Sequence, residues 1–423
     1  MEAPVVNAVP SSYNVTKVKP PAVAAYKRRF VQPASSTAAA TGGTYVRIPI
    51  PTGQAGTFLD PHRSFLQFKL SLTSAFANGF RFAGLAGASA CIQELRLYCS
   101  GQVVSEILNY NNVAEVVNDV TSGSGRSHLN TLCTGAYTVN TIGDPATALL
   151  TATVGYSTSF NGDVATAGPN NIAFTRTFTI PLIDGWVGLM AEKAFPTMLV
   201  APGTLELEIK FATDAVAFES GAALVAAASY TNIAFVGEQV IIHSDVADAV
   251  LAAAQSGLLM YSTGYHTYQS TIAAATAGSF IIPARALSAN SFFWTFRDTA
   301  GISTLANFGL RRINPSADIS DANFKSFWLT IGTENVPQRS IQSYTEAFGE
   351  LSKALGIFSS KDAALSKCFY FGSDAAGGYA QRTVCNFASM EAATGCYLEG
   401  LDLDVFSLSS AEVRSGRNLQ ADQ

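Results

Sequence analysis

Two pairs of acids stand two residues apart in this chain, Glu206 with Glu208 and Asp402 with Asp404. On a strand that spacing puts both side chains on one face, an arrangement that glycoside hydrolysis or calcium binding can use. It is equally the arrangement of a wet or interfacial sheet face. The four histidines, His62, His128, His243 and His266, show no H-E-x-x-H or H-x-H spacing and read as loop or strand-edge residues. Gly87-Ala88-Ser89-Ala90 lacks the second glycine of a nucleophile elbow, and there is no G-x-x-x-x-G-K-S/T loop for nucleotide phosphates. Cys91, Cys99, Cys133, Cys368, Cys385 and Cys396 contain no C-x-x-C pair and read as buried, reduced thiols. No catalytic, cofactor-binding or metal-binding residue is assigned, no small-molecule substrate is implied, and the chain is expected not to be an enzyme.

The other chemistry is basic. Residues 1–43 carry Lys17, Lys19, Lys27, Arg28 and Arg29 against Glu2, a net +4, on a chain whose total is −5. Everything after residue 43 therefore sums to −9. Prolines at 4, 10, 20, 21 and 33 and an Ala/Ser/Thr/Gly run over 34–43 predict a flexible arm with little to bury. Each cation can neutralise a phosphate, so the five basic residues are candidates to contact nucleic acid or an anionic membrane on an inner face. A solvated tail or a clamp on a neighbouring subunit fits the same residues. No secretory signal precedes the Asn14-Val15-Thr16 sequon, which is read as a chance match.

At 423 residues the chain exceeds what one hydrophobic core serves, which predicts two domains. Only 13% of residues are charged, about half the usual share, while 48% are hydrophobic. A surface that neutral repels its own copies weakly, so self-association is the expected partnership. No run of 18 apolar residues exists to span a bilayer.

After residue 43 the side chains alternate with the period of a strand. Leu205, Leu207, Ile209 and Phe211 interleave with Glu206, Glu208 and Lys210; Leu66, Phe68, Leu70 and Leu72 interleave with Gln67, Lys69 and Ser71. Further strands are predicted over 46–50, 92–99, 174–182, 233–242, 292–297, 327–331 and 401–405, separated by loops such as 121–171. Three- and four-residue spacing predicts helices over 104–118 and 343–355, the second with a Ser343/Glu346 capping box, and an alanine-rich helix over 245–255. The two amphipathic helices follow the same order: strand, polar turn, helix with an early tyrosine, once ending at Tyr110 and once at Tyr344. A repeated module inside one chain predicts two copies of one sandwich topology.

Several segments together resemble a known family. They are 58–66 (Phe58-Leu59-Asp60-Pro61-His62-Arg63), Ile180-Pro181-Leu182 running to Phe195-Pro196 and Pro202-Gly203-Thr204, Ile331-Gly332-Thr333-Glu334-Asn335-Val336-Pro337, and the tail from Leu401 to Ser415-Gly416-Arg417-Asn418. As a set they resemble the double jelly-roll major capsid proteins of tailless icosahedral double-stranded DNA viruses, closest to polinton-like and virophage-like members. The resemblance implies an all-β fold of two tandem eight-stranded jelly-roll sandwiches with a few short helices. It divides the chain into an arm (1–43), a first jelly roll (44–244), a helical linker (245–256) and a second jelly roll (257–423). It further implies homotrimeric, pseudo-hexagonal capsomers in a virion, synthesis in the host cytoplasm, minor or penton capsid proteins as partners, and an arm near the genome or an inner membrane. In that family more strand follows the final Ser-Gly-x-Asn element, so the second roll is expected to close differently or to be incomplete. Two alternatives stand beside it: a single jelly-roll capsid protein of a small RNA virus, and a two-sandwich carbohydrate-binding protein.

Overall fold

The computed structural model describes residues 24–74, 80–82, 87–121, 172–220, 226–297, 326–354, 398–405 and 416–420, apart from positions 37, 192, 256, 258, 259, 261 and 273–276. In its first half the strands are β1 (Ala24–Pro33), β2 (Tyr45–Ile50), β3 (Thr57–Ser74), β4 (Phe80–Phe82), β5 (Ile92–Cys99), β6 (Gln102–Ile107), β7 (Ile172–Ile180), β8 (Leu205–Phe211), β9 (Phe218–Ser220) and β10 (Ala226–Ile242). Antiparallel pairing gives two four-stranded sheets, ordered β1-β10-β3-β7 and β2-β8-β5-β6, with a short β4-β9 pair beside them.

The alternation explains why the sheets meet. Leu66, Phe68 and Leu70 of β3 and Leu205, Leu207, Ile209 and Phe211 of β8 are all fully buried in one core. The ring of Phe68 meets Phe211 edge-on at 5.8 Å and Tyr230 of β10 at 5.6 Å, and Phe211 stacks on Tyr230 at 4.1 Å. Side chains from two sheets thus interdigitate, which makes this half a β-sandwich.

Two expectations change. Residues 24–33, predicted to belong to a flexible arm, form edge strand β1 on β10, with Phe30 opposite Gly237. A Cβ on Gly237 would press into the Phe30 ring at 2.5 Å, so the glycine leaves the notch that this ring fills. Residues 104–107, predicted as helix, belong to β6, because Ser100 (φ 51°) and Gly101 (φ 80°) turn the chain back along β5. The helix itself starts at Tyr110 and runs Tyr110–Thr121. Its first residue anchors it, since the Tyr110 hydroxyl accepts a 2.9 Å hydrogen bond from the buried Ile183 amide. The predicted loop over 121–171 lies outside the described residues beyond Thr121.

Past β10 comes the helix Ser244–Ala254, after which the described residues of 257–272 belong to no strand and meet the first sandwich. Thr267 Oγ1 accepts from the Asn109 amide at 3.2 Å, and Tyr265 packs on the core. The seat for this strap is a corner built by Asp184. Its carboxylate accepts from the Trp186 and Val187 amides at 2.8 and 2.9 Å and from Ser105 Oγ at 2.6 Å. A side chain on Gly185 would collide with Ser262 and Thr263. Gly185→Val is accordingly expected to lift the strap, and limited proteolysis should cut residues 257–272 several-fold faster than in the parent chain.

In the second half, β11 (Ser291–Trp294) pairs with β14 (Glu399–Asp402), and β12 (Phe327–Ile331) forms a hairpin with β13 (Glu334–Ile341) that feeds the helix Tyr344–Ala354. The Glu346 amide donates to Ser343 Oγ at 3.2 Å while the Glu346 carboxylate accepts from the Gln342 amide at 3.0 Å, so the predicted capping box forms one residue wider than drawn. Ile341, Ala347 and Leu401 make a small core with Trp294, Phe327 and Leu329. The module β12-turn-β13-helix thus repeats β5-turn-β6-helix, and a tyrosine begins the helix in each.

Candidate assembly interface

The outward face of the sheet β2-β8-β5-β6 holds the first acid pair. Register places its side chains in three rows across the strands: Tyr45, Lys210 and Glu94; Arg47, Glu208, Arg96 and Glu106; Pro49, Glu206, Tyr98 and Val103. Strand alternation makes this inevitable once the leucines face inward. Arg47 Nε donates to Glu208 at 2.7 Å and its Nη1 to Glu206 at 3.3 Å. Arg96 donates to Glu106 at 2.7 Å and bridges to Glu94 at 2.9 Å, while Lys210 reaches Glu94 at 2.7 Å. Tyr98 donates to Glu208 at 3.2 Å, and the Arg47 guanidinium lies over the Tyr98 ring.

These contacts settle what the acid pair does. Glu206 and Glu208 are held by arginine, so they are not a free carboxylate pair for hydrolysis or for a cation. At Glu208, burial pushes the carboxyl upward, but Arg47, with help from Tyr98 and Arg96, outweighs it and holds the group below its ordinary value. The hydrogen bond from Lys210 to Glu94 raises the lysine. A carboxylate depressed in the folded state stabilises above the unfolded pKa and loses that contribution as pH falls through the folded one. Acid titration followed by circular dichroism should therefore show stability falling below about pH 4, with a shallower fall in Glu208→Gln.

The second acid pair is a turn. Asp402 Oδ1 accepts from the Asp404 amide at 2.9 Å, and burial, the largest influence, raises the Asp402 carboxyl. Ser89 sits within the buried Gly87–Cys91 turn and exposes no nucleophile. His62 Nε2 is 2.7 Å from the Ala191 carbonyl, His243 precedes the helix Ser244–Ala254, His266 is exposed, and His128 lies outside the described residues. Cys91 and Cys99 are free thiols, and burial pushes Cys91 upward; the other four cysteines lie outside the described residues. Among the described residues no cluster of histidine, cysteine and acidic groups could hold a metal, and no helix is long and apolar enough to cross a membrane.

The basic candidates divide. Lys17 and Lys19 lie outside the described residues. Lys27, Arg28 and Arg29 are consecutive in β1 and so point to alternate faces. Lys27 is 3.6 Å from Glu238 and 4.0 Å from Asp60, an acid pair it shares with Arg63. Arg28 donates to Gln239 at 2.7 Å and Gln54 at 2.9 Å, and Arg29 lies over the Phe65 ring at 5.7 Å. All three are therefore engaged within the chain.

No protein-family profile matches the chain, and no curated protein matches it in sequence. Solved structures do. The mavirus major capsid protein aligns over 57% of this chain and 52% of its own length at 11% identity, TM-score 0.29. PBCV-1 VP54, fitted into a reconstruction of the virophage Sputnik, aligns over 93% and 81% at 8% identity, TM-score 0.48. The Sputnik virophage, solved by cryo-EM, aligns over 90% of this chain and 77% of that one at 11% identity, TM-score 0.51. This chain has the double jelly-roll fold. The ionic ladder is thus the outer face of a sheet in the first half of a double jelly-roll chain. Sequence alone displayed the acid pair Glu206 and Glu208 but not its cations, Arg47 and Arg96, which come from strands more than a hundred residues away. The available signal was a lone arginine between core residues in each partner strand, at Val46-Arg47-Ile48 and Leu95-Arg96-Leu97.

Proposed function

We propose that this chain is the major capsid protein of an icosahedral virus with a double-stranded DNA genome, three copies forming each pseudo-hexagonal capsomer. The observation that carries the proposal is the repeated strand-turn-strand-helix module within one chain, because two similar units per subunit let three subunits imitate six-fold symmetry. The proposed division is a first jelly roll over 44–244, whose two four-stranded sheets take in β1 at one edge, a linker over 245–256 and a second jelly roll of eight strands over 257–423. The low charge of the chain supports extensive contact between copies and with minor or penton proteins. Placement in the virion, after synthesis in the host cytoplasm, follows from the same role. Lys17 and Lys19, ahead of β1, are the better candidates for genome or inner-membrane contact, since Lys27, Arg28 and Arg29 already have partners in the fold. A carbohydrate-cleaving role has less support, because arginine occupies the acid pair it would use.

Purified full-length protein should sediment as a species of three times 44.5 kDa and show a three-fold, hexagon-outlined projection by electron microscopy. A stable monomer at micromolar concentration would overturn the proposal.

A further inference from the structure

The rows of the ionic ladder have an order that its neutral total conceals. Arg96, Arg47 and Lys210 against Glu94, Glu106, Glu206 and Glu208 leave only −1, yet the central row alternates in sign from strand to strand: Arg47, Glu208, Arg96, Glu106. Reversing that row exchanges every cation with an anion. A two-fold axis parallel to the strands, lying above the sheet between β8 and β5, performs this reversal between two copies placed face to face. It sets Arg47 against Glu106 of the second copy and Glu208 against Arg96. In the row above, Lys210 meets Glu94. In the row below, Pro49 meets Val103 and Glu206 meets the Tyr98 hydroxyl. An axis along the rows would instead set arginine on arginine and glutamate on glutamate, so the pattern selects one arrangement.

The face is open and already ordered. Side-chain exposure is 52% for Arg47, 40% for Glu106 and 36% for Glu206 at its margins, against 8% for Glu208 and 12% for Glu94 at its centre. Central side chains fixed by their neighbours lose little further freedom on docking. Tyrosine and arginine, which dominate interface cores, supply much of the surface.

We infer that this sheet face is a self-complementary contact between two copies of the chain, related by a two-fold axis parallel to its strands. It deepens the shell reading and rests on it. Four strands about 4.8 Å apart and some 20 Å long present roughly 400 Å², half of what each partner contributes to a standard stable interface. One such contact is weak alone and becomes effective when many act together between trimers in a lattice.

Arg47 and Glu106 sit on opposite edges of one sheet, three strand spacings or about 14 Å apart, so neither can repair the loss of the other within a single chain. Association of full-length trimers into larger species, followed by sedimentation velocity, is compared for the parent chain, Arg47→Glu, Glu106→Arg and the double variant. Each single change is expected to weaken association roughly tenfold, and the double variant to return to within about twofold of the parent. Trimers that form normally while the double variant stays as weak as the product of the singles would overturn the contact and leave the shell reading standing. Absence of trimers in the parent chain would overturn the shell reading, and with it this contact. Where Arg47→Glu fails to fold, a mixture of Arg47→Cys and Glu106→Cys chains treated with a short bismaleimide decides the matter. A mixed cross-linked dimer, absent from either variant alone, supports the contact, and no such dimer refutes it.

Discussion

Phe68→Ala is expected to destabilise the first sandwich by about 3–5 kcal/mol. Its ring is fully buried and touches Phe178, Phe211 and Tyr230, of which Phe211 belongs to the opposite sheet. Truncation removes the transfer free energy of a whole ring and leaves a cavity where the two sheets meet, with three aromatic neighbours too large to collapse into it. Hydrogen exchange of peptides covering β3 and β8 should read the loss as a fall in protection of at least a hundredfold. Phe68→Leu, which keeps most of the volume, should cost only about 1–2 kcal/mol. Equal losses for the two variants would show that the site has no tight packing to lose.

The second large effect belongs to a contact between the halves. Glu115, on the helix Tyr110–Thr121, has a side chain only 2% exposed, and Arg297, just past β11, lies 3.7 Å from its Oε2. A carboxylate withdrawn from water needs a cation beside it, and removing that cation commonly costs about 3–5 kcal/mol. Arg297→Met should therefore destabilise the chain by about 3 kcal/mol, visible as a lower unfolding temperature and looser docking of the second half. Arg297→Met with Glu115→Met should recover a good part of the loss, because the buried charge disappears with its partner. A double variant no better than the single one would place the effect in Arg297 packing rather than in the pair.

How much of this was legible depended on where each residue finds its partner. Strands whose two faces differ announced themselves, as in β3 and β8, because the inward leucines and phenylalanines needed no knowledge of the opposing strand. β6 did not, since Val103 and Val104 lie at a solvent edge and Ile107, Tyr110, Ala114 and Val117 fit a helical spacing. The Ser100-Gly101 turn was the local signal that outranked it. β1 was hidden by prolines and cations. Both are what an edge strand carries to avoid pairing with other chains, so a composition that suggested disorder was also protection of an edge. The acid pair was found as an acid pair, but its meaning lay in Arg47 and Arg96. Contacts made across the sheet cannot be read from spacing along one strand.

The pairing of β1 with β10 also fixes an order of events during synthesis. Arg28 bonds to Gln239, 211 positions further along the chain. At 5–20 residues per second, a ribosome needs roughly 10–40 s to supply the partner. For that interval ten residues of strand wait without their template while β2, β3, β5 and β8 are being laid down. Among the described strands, the first to leave the ribosome is one of the last to be seated. A nascent chain arrested before residue 234 has every inward leucine of the sandwich and no means of sealing that sheet.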